Sequence, residues 1–279
     1  MTSEERTALF RSHRAQVHAI AYRMLGSATE ADDVVQETWL RLQGTDPATI
    51  ENPAGWFTTV VSRICLNQLR SREYQQQLAA RLPAPEPEDP ETEAELIDEV
   101  GRALLVVLGR LGPAERVAFV LHDLFAVPFE QIALVLDRSR DAAKQLASRA
   151  RRRVRGAPVA TSAPDRRLVA AFLDAARGGD LQALLGLLAP DVVRTVDTAG
   201  APQEVHGVRD VLDEIAVFGR RARFADLVLI DGAAGIAVAP HGTLQSVLTV
   251  TVSGGTITRY SVIADPEHLA ALDIRLVPS

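Results

Sequence analysis

The segment from Phe129 to Arg155 constrains this chain most. It reads FEQIALVLDRSRDAAKQLASRARRRVR, two short helical patterns around a four-residue break. Phe129, Ile132, Ala133 and Leu136 recur at helical spacing on one face. Asp137, Arg138, Ser139 and Arg140 interrupt that period, and the Ser139 hydroxyl is suited to cap a second helix. Ala143, Leu146, Ala147, Ala150 and Val154 form the second inward stripe. Asp141, Lys144, Gln145, Ser148, Arg149 and Arg152 are left facing outward. The pattern predicts a helix-turn-helix whose second helix can enter a DNA major groove. Its outward side chains have the chemistry for that groove. Arg and Lys reach guanine edges or phosphates, Gln pairs with adenine, and Ser bonds either.

The formal net charge of −6 looks wrong for a DNA-binding protein, but the charge is unevenly spread. Residues 138–155 carry eight Arg or Lys against one Asp, whereas residues 86–99 carry eight Asp or Glu and no base. Salt screens charges beyond about 8–10 Å, so the local basic patch sets phosphate attraction. The acidic total predicts weak binding to DNA alone and stronger binding within a larger assembly. No stretch approaches the ~20 apolar residues of a membrane span. The opening MTSEERTALFRSHR lacks the apolar core of a secretory signal. The single cysteine, Cys65, cannot form an intramolecular disulfide. These features predict a protein of the reducing cytoplasm with no membrane partner.

Three blocks emerge. Residues 1–79 read as helices. Residues 80–96 hold four prolines and many acids and read as a linker. Residues 97–156 are helical and end in the helix-turn-helix, and 157–164 form a second linker. Residues 165–279 change grammar. Helical patterns cover 168–176, 181–188 and 208–218, and β-rich runs cover 192–196, 224–230, 235–239, 244–252 and 256–263. Helices followed by an antiparallel meander predict an α+β domain, so the whole is multidomain, with two all-α blocks before an α+β one.

Within the first block, Val35, Trp39 and Leu42 make an inward stripe, and Asp32, Asp33, Gln36 and Glu37 lie across from it. An acidic stripe of this kind is most often a solvated face. After the loop GTDPATIENP comes a long helical pattern that begins with Trp56 and Phe57. It continues with Arg63, Asn67, Gln68, Arg70 and Arg72. Aromatic, amide and basic groups together can stack on single-stranded bases and hold their backbone, although Trp56 also suits a core.

With these motifs in hand, the chain resembles a known family. LFRSHRAQVHAIAYRMLGSATEADDVVQETWLRL and NPAGWFTTVVSRICLNQLRSRE are similar to region two of an extracytoplasmic-function (ECF) bacterial sigma factor. The block from Leu111 resembles region four of that family. Residues 165–279 resemble a SnoaL-like domain, a cone-shaped fold of the nuclear-transport-factor type. Fused sigma factors of this kind often carry a WLPEP-type linker motif, which here reads Arg81-Leu82-Pro83-Ala84-Pro85-Glu86-Pro87 without the tryptophan. A DGGGK-type motif corresponds to Asp197-Thr198-Ala199-Gly200-Ala201, and an NPDKL-type motif to Asp265-Pro266-Glu267-His268-Leu269.

The resemblance implies core RNA polymerase and promoter DNA as partners, with contacts to the β′ clamp and the β flap. It assigns Asp32, Asp33, Gln36 and Glu37 to the β′ clamp helices. It assigns Thr49 and Asn52 to capture of a flipped base of the minus-ten element, a step that costs a few kcal/mol of stacking. Trp56, Arg63, Asn67, Arg70 and Arg72 would hold the rest of that strand. Arg140, Lys144, Gln145, Ser148 and Arg149 would read the minus-thirty-five element, with Arg152, Arg153 and Arg155 on phosphates. The C-terminal domain would regulate the sigma blocks in cis through intramolecular contacts. A cavity in it would draw on Asp197, His206, Tyr260 and Asp265, with His241 a further candidate. None of these residues has a catalytic or metal-ligand spacing, so no enzyme activity, cofactor or metal is expected. Two alternatives stay open: a ligand-responsive DNA-binding regulator that does not act through core polymerase, or an isomerase- or cyclase-like enzyme fused to a DNA-binding module.

Overall fold

The computed structural model describes residues 3–46, 49–79, 99–155, 162–197 and 203–277, with backbone alone at 3, 76–79, 99–100, 155, 203, 216–220 and 241. The linker motif at 81–87 and residues 198–201 therefore lie outside the described residues, as do the side chains of Arg155 and His241. Contacts divide the chain into two units. One comprises 1–89 with 108–152, the other 90–107 with 153–279.

The first unit opens with three helices, α1 (Ser3–Leu25), α2 (Ala28–Gln43) and α3 (Pro53–Ala79). Gly26, at φ 84°, makes the reversal after α1, a left-handed conformation that costs glycine little. The Ser27 hydroxyl then caps α2 by accepting from the Glu30 amide at 3.4 Å. Asn52 caps α3, its Oδ1 accepting from the Gly55 amide at 3.1 Å, and Pro53 follows where its missing N–H costs nothing. Buried Val17, Ile20, Met24, Val34, Leu42, Phe57, Val61 and Ile64 form the shared core. Fully burying one such side chain contributes about 1.5–3 kcal/mol.

Helix α4 (Glu99–Gly109) follows, and the division between units falls inside it: residues through Val107 group with the second unit. Then come α5 (Pro113–Phe119), a π turn at Val120–Leu124, α6 (Phe129–Leu136) and α7 (Arg140–Arg155). Asp137 ends α6 in the left-handed region at φ 54°, and the Ser139 hydroxyl accepts from the Ala142 amide at 3.2 Å. The predicted helix-turn-helix is thus present, turn and cap included. Ala143, Ala147, Ala150 and Val154 are buried, and Leu146 is half-buried.

The second unit places α8 (Ala163–Gly178), α9 (Leu181–Leu187) and α10 (Val208–Phe218) with a seven-stranded sheet ordered β2-β1-β6-β5-β4-β3-β7. The strands are β1 (Leu188–Asp197), β2 (Gln203–His206), β3 (Ala225–Ile230), β4 (Ala233–Val238), β5 (Ser246–Ser253), β6 (Thr256–Ile263) and β7 (Ile274–Leu276). Strands β3 to β6 form the expected antiparallel meander. The sheet as a whole is mixed, because β1 lies parallel to β6. The long excursion through α10 and four strands lets β6 return beside β1 in the same direction, as a hairpin could not. The short strands β2 and β7, and helix α11 (Pro266–Ala271), carry no sequence signal strong enough to predict them. Each depends on pairing with a distant partner or on a cap. Val169, Phe172, Leu184, Val192, Val211, Ile236, Ile257 and Tyr260 are among the core residues.

Candidate nucleic-acid and polymerase interface

Four sets of side chains carry the functional reading. On α2, Val34, Val35, Thr38 and Leu42 are buried, which turns Asp32, Asp33 and Gln36 to solvent. Glu37 is half-exposed and held by Arg41 at 2.6 Å, an i, i+4 pair. Asp32 lies 3.7 Å from both Arg14 and His18. A groove of 540 Å³ beside this face is lined by Phe10, Val35 and Trp39 and edged by Arg11, Arg14, Asp32 and Gln36. Leu40, 63% exposed, sits within the same outward arc, which sequence inspection passed over. Its helical position between Asp33 and Gln36 was the available signal.

The loop before α3 holds Thr49, whose hydroxyl donates to the Asp46 carbonyl at 2.6 Å, and Asn52, whose carbonyl oxygen is engaged as the α3 cap. Both residues are exposed. Trp56 is half-buried and meets Phe57 edge-on at 5.1 Å. Phe57 in turn lies 4.8 Å from His13 and 6.1 Å from Phe10, so Trp56 borders an aromatic core cluster. Along α3, Arg63, Asn67 and Arg70 are exposed. Arg72 differs from them. It pairs with Glu30 and donates to the Leu25 carbonyl at 3.2 Å, and its burial lowers its pKa. Those bonds tie the end of α3 to the α1–α2 reversal.

On α7, Arg140, Lys144, Gln145, Ser148, Arg149 and Arg152 are all exposed. Arg140 pairs with Glu130 at 2.6 Å, and Lys144 reaches Asp141 at 4.0 Å. Arg151 has a structural partner instead, donating to Asp123 through Nε at 2.6 Å and Nη2 at 3.2 Å. Exposed pairs such as Arg140–Glu130 are worth ~0–1 kcal/mol and exchange readily for a phosphate. Behind α3, Cys65 is buried and its thiol is pushed up to about 12 by burial, so it is an unreactive core residue.

In the second unit, Asp197 and Asp265 meet at His268, while Tyr260 and His206 have other neighbours. Tyr260 is buried in the core beside Phe172, and burial raises its pKa. Asp197 meets His268 through its carboxylate, at the end of β1. Asp265 caps α11, accepting from the amides of Glu267 at 2.9 Å and His268 at 3.1 Å. His206 is exposed near Glu204 at 3.3 Å. The sequence reading missed three buried charges in this unit, Arg194, Asp226 and Arg102. Arg194, 7% exposed, donates to Glu214 through Nε at 2.7 Å. Asp226 accepts from Arg102 Nε and Arg177 Nη2, each at 3.2 Å. Strand alternation after Val192 would have pointed Arg194 inward. Arg102 and Asp226 are too distant in sequence for any local signal.

Comparison with known proteins adds a second line of observation. Sigma-70 region 2 matches residues 9–74, and Sigma-70, region 4 matches residues 101–154. The chain is 34% identical over 280 residues to the "Probable ECF RNA polymerase sigma factor SigI" of Mycobacterium tuberculosis, covering 97% of each protein. It is 36% identical over 294 residues to the ECF RNA polymerase sigma factor SigJ of the same organism, covering 95% of this chain and 94% of that protein. The crystal structure of SigJ aligns over 94% of this chain and 97% of that one, at 33% identity and a TM-score of 0.43.

Proposed function

This chain belongs to the ECF RNA polymerase sigma factors, and from that premise we propose how its residues divide the work of recruiting polymerase and reading a promoter. The chain binds core RNA polymerase and directs promoter recognition. Asp32, Asp33, Gln36 and Glu37 on α2 meet the β′ clamp helices, and residues of the region-four block meet the β flap. Thr49 and Asn52 take the flipped minus-ten base. Trp56, Arg63, Asn67 and Arg70 hold the strand, and Arg72 supports them by fixing the end of α3. Arg140, Lys144, Gln145, Ser148 and Arg149 read the minus-thirty-five element, with Arg152 on phosphate.

The reading rests above all on the exposed carboxylates of α2, whose opposite face is fully buried. Among the described residues neither Asp33 nor Gln36 makes a side-chain hydrogen bond or ion pair, so their chemistry is available to a basic partner. The test is a pull-down of core polymerase with the full chain carrying Asp33→Lys and Glu37→Lys. Loss of core binding with an unchanged melting temperature is expected, and normal binding by the double variant refutes the assignment.

The C-terminal domain regulates the sigma blocks in cis. The support is the beginning of α4, which belongs to the stretch matched by region four and yet has Arg102 bonded to Asp226 and buried with it. A short covalent connection keeps such partners at an effective concentration on the order of millimolar. The domain acts as a regulatory module and not as an enzyme; in support, Asp265 serves as a cap, Asp197 as an ion-pair partner and Tyr260 as a core group.

A further inference from the structure

Helix α3 is occupied along the line that the proposed function gives to the promoter strand. Gly55, Thr59 and Arg63 follow one another at i, i+4 and i+8, on a single face. All three are bonded to α6. Gln131 Nε2 donates to the Gly55 carbonyl at 2.7 Å and to the Thr59 hydroxyl at 3.4 Å. Arg63 Nη2 donates to the Leu134 carbonyl at 2.9 Å. Gln131 and Leu134 are one turn apart, so the bonds set α6 in a fixed register on α3. The close approach also uses the missing side chain of Gly55, where a Cβ would meet Asn52 Nδ2 at 2.8 Å and Gln131 Nε2 at 3.5 Å.

We propose that α6 is a self-supplied occupant of the strand-binding face of α3, so that the closed chain cannot hold single-stranded minus-ten DNA until the region-four block leaves that face. This rests on the assignment of α3 to the strand. The guanidinium of Arg63 cannot serve the Leu134 carbonyl and a phosphate in the same geometry, and the amide of Gln131 fills the space beside Gly55 and Thr59.

The contact is built to release. Its bonds are polar, exposed at Arg63 and partly buried at Gln131, and water can replace each of them at little net cost. Beneath it, Arg116 of α5 is buried against α3 near Cys65 and Arg72, and no carboxylate among the described residues pairs with it. Burial and Arg72 push its pKa down to about 10. Opening would return that charge to water. Helix α7 behaves differently, because its outward residues reach solvent while α6 rests on α3. The closed chain therefore keeps its duplex-reading face and withholds its strand-binding one.

The test uses the full chain with Thr59→Cys and Gln131→Cys, joined by a short reducible bis-thiol reagent. Neither residue is assigned to DNA, and Cys65 is too buried to react. A labelled mixed-sequence single-stranded oligonucleotide reports strand binding by anisotropy, and a labelled duplex reports α7. A lock that removes the open population raises the apparent Kd in inverse proportion, so roughly tenfold weaker strand binding is expected when cross-linked. Reduction restores binding in the same sample, and duplex binding does not change. Gln131→Ala alone strengthens strand binding. Equal strand affinity before and after reduction overturns the proposal, as does strand binding by neither form. Arg63→Ala in the Gln131→Ala background separates the two levels. If it weakens strand binding while the lock has no effect, only the occlusion fails. If it changes nothing, the strand assignment of α3 fails and the occlusion with it.

Discussion

Arg102 and Arg116 lie on successive helices and are equally buried at 7% exposure, yet their surroundings are opposite. Arg102, in the second unit, donates to the buried carboxylate of Asp226, which also accepts from Arg177. Arg116, in the first unit, has its ε nitrogen unbonded and shares its neighbourhood with a second arginine and a thiol. A desolvated guanidinium is costly unless hydrogen-bonded to an anion. The first site repays that cost and fixes its elements; the second carries it and stays poised to separate. This difference matches the roles proposed above. There the start of α4 attaches to the C-terminal domain through Arg102 and Asp226, whereas the proposed occlusion requires the region-two and region-four blocks to part before strand binding.

The comparison breaks most visibly at Asp226. Replacing it with Ala removes the carboxylate that buried Arg102 and half-buried Arg177 share, and the loss of stability is expected to be about 3–5 kcal/mol, measured by chemical denaturation. A loss no larger than that of an ordinary surface substitution would show that Arg102 and Arg177 reach water. The opposite sign is expected at the other site. Arg116→Met keeps the length of the side chain and removes the charge, so the first unit gains stability by up to about 1–4 kcal/mol. The protonated form of Arg116 is penalised in the folded state, because its pKa there lies below its ordinary value. That penalty is present throughout neutral pH and is relieved only as pH rises through about 10. A destabilised Arg116→Met protein would mean that the charge finds a partner in the folded chain.

At the surface, α7 sharpens the same contrast between engaged and available cations. Arg151 is held by Asp123, while Arg149 is exposed. Arg149→Ala is expected to cost about 1–3 kcal/mol of discrimination at one promoter position, read from binding of matched and mismatched duplexes. Arg152→Ala is expected to weaken both alike and to lower the salt slope by about one. The smallest effect is expected at His268. Its hydrogen bond to Asp197, with the charge of that carboxylate, raises its pKa. The linked stabilisation is fully present below the ordinary histidine pKa and is lost as pH rises through the raised value. His268 is exposed, so solvent screens the pair and the effect on melting temperature is slight. His268→Ala should flatten that pH dependence and leave promoter binding unchanged.

How far the site was legible depends on the range of the interactions involved. The helix-turn-helix could be read to its cap, because Ser139, the alanine stripe and the outward basic residues are all local in sequence. The acidic arc of α2 was legible for the same reason, although Leu40 within it was overlooked. Asn52 and Arg72 were expected on the DNA. The structure gives Asn52 a second role as a helix cap and commits Arg72 to Glu30 and the Leu25 carbonyl. Both roles depend on neighbours that only folding supplies. Of Asp197, His206, Tyr260 and Asp265, the structure brings Asp197 and Asp265 together at His268, buries Tyr260 in the core beside Phe172 and leaves His206 exposed beside Glu204.

The sequence by itself determined the order of the blocks, the helix-turn-helix, the acidic and basic faces, and the change from helices to a meander. All of these follow from hydrophobic period, capping chemistry and charge within a few helical turns. Tertiary structure alone decided that β1 runs parallel to β6, that Arg102 meets Asp226, and that Gln131 meets Gly55. The physical reason is that a contact between residues far apart in the chain has no periodicity to announce it. Its energy depends on desolvation and on geometry fixed only when both elements are already packed. These long-range contacts are also the ones on which the proposed regulation rests.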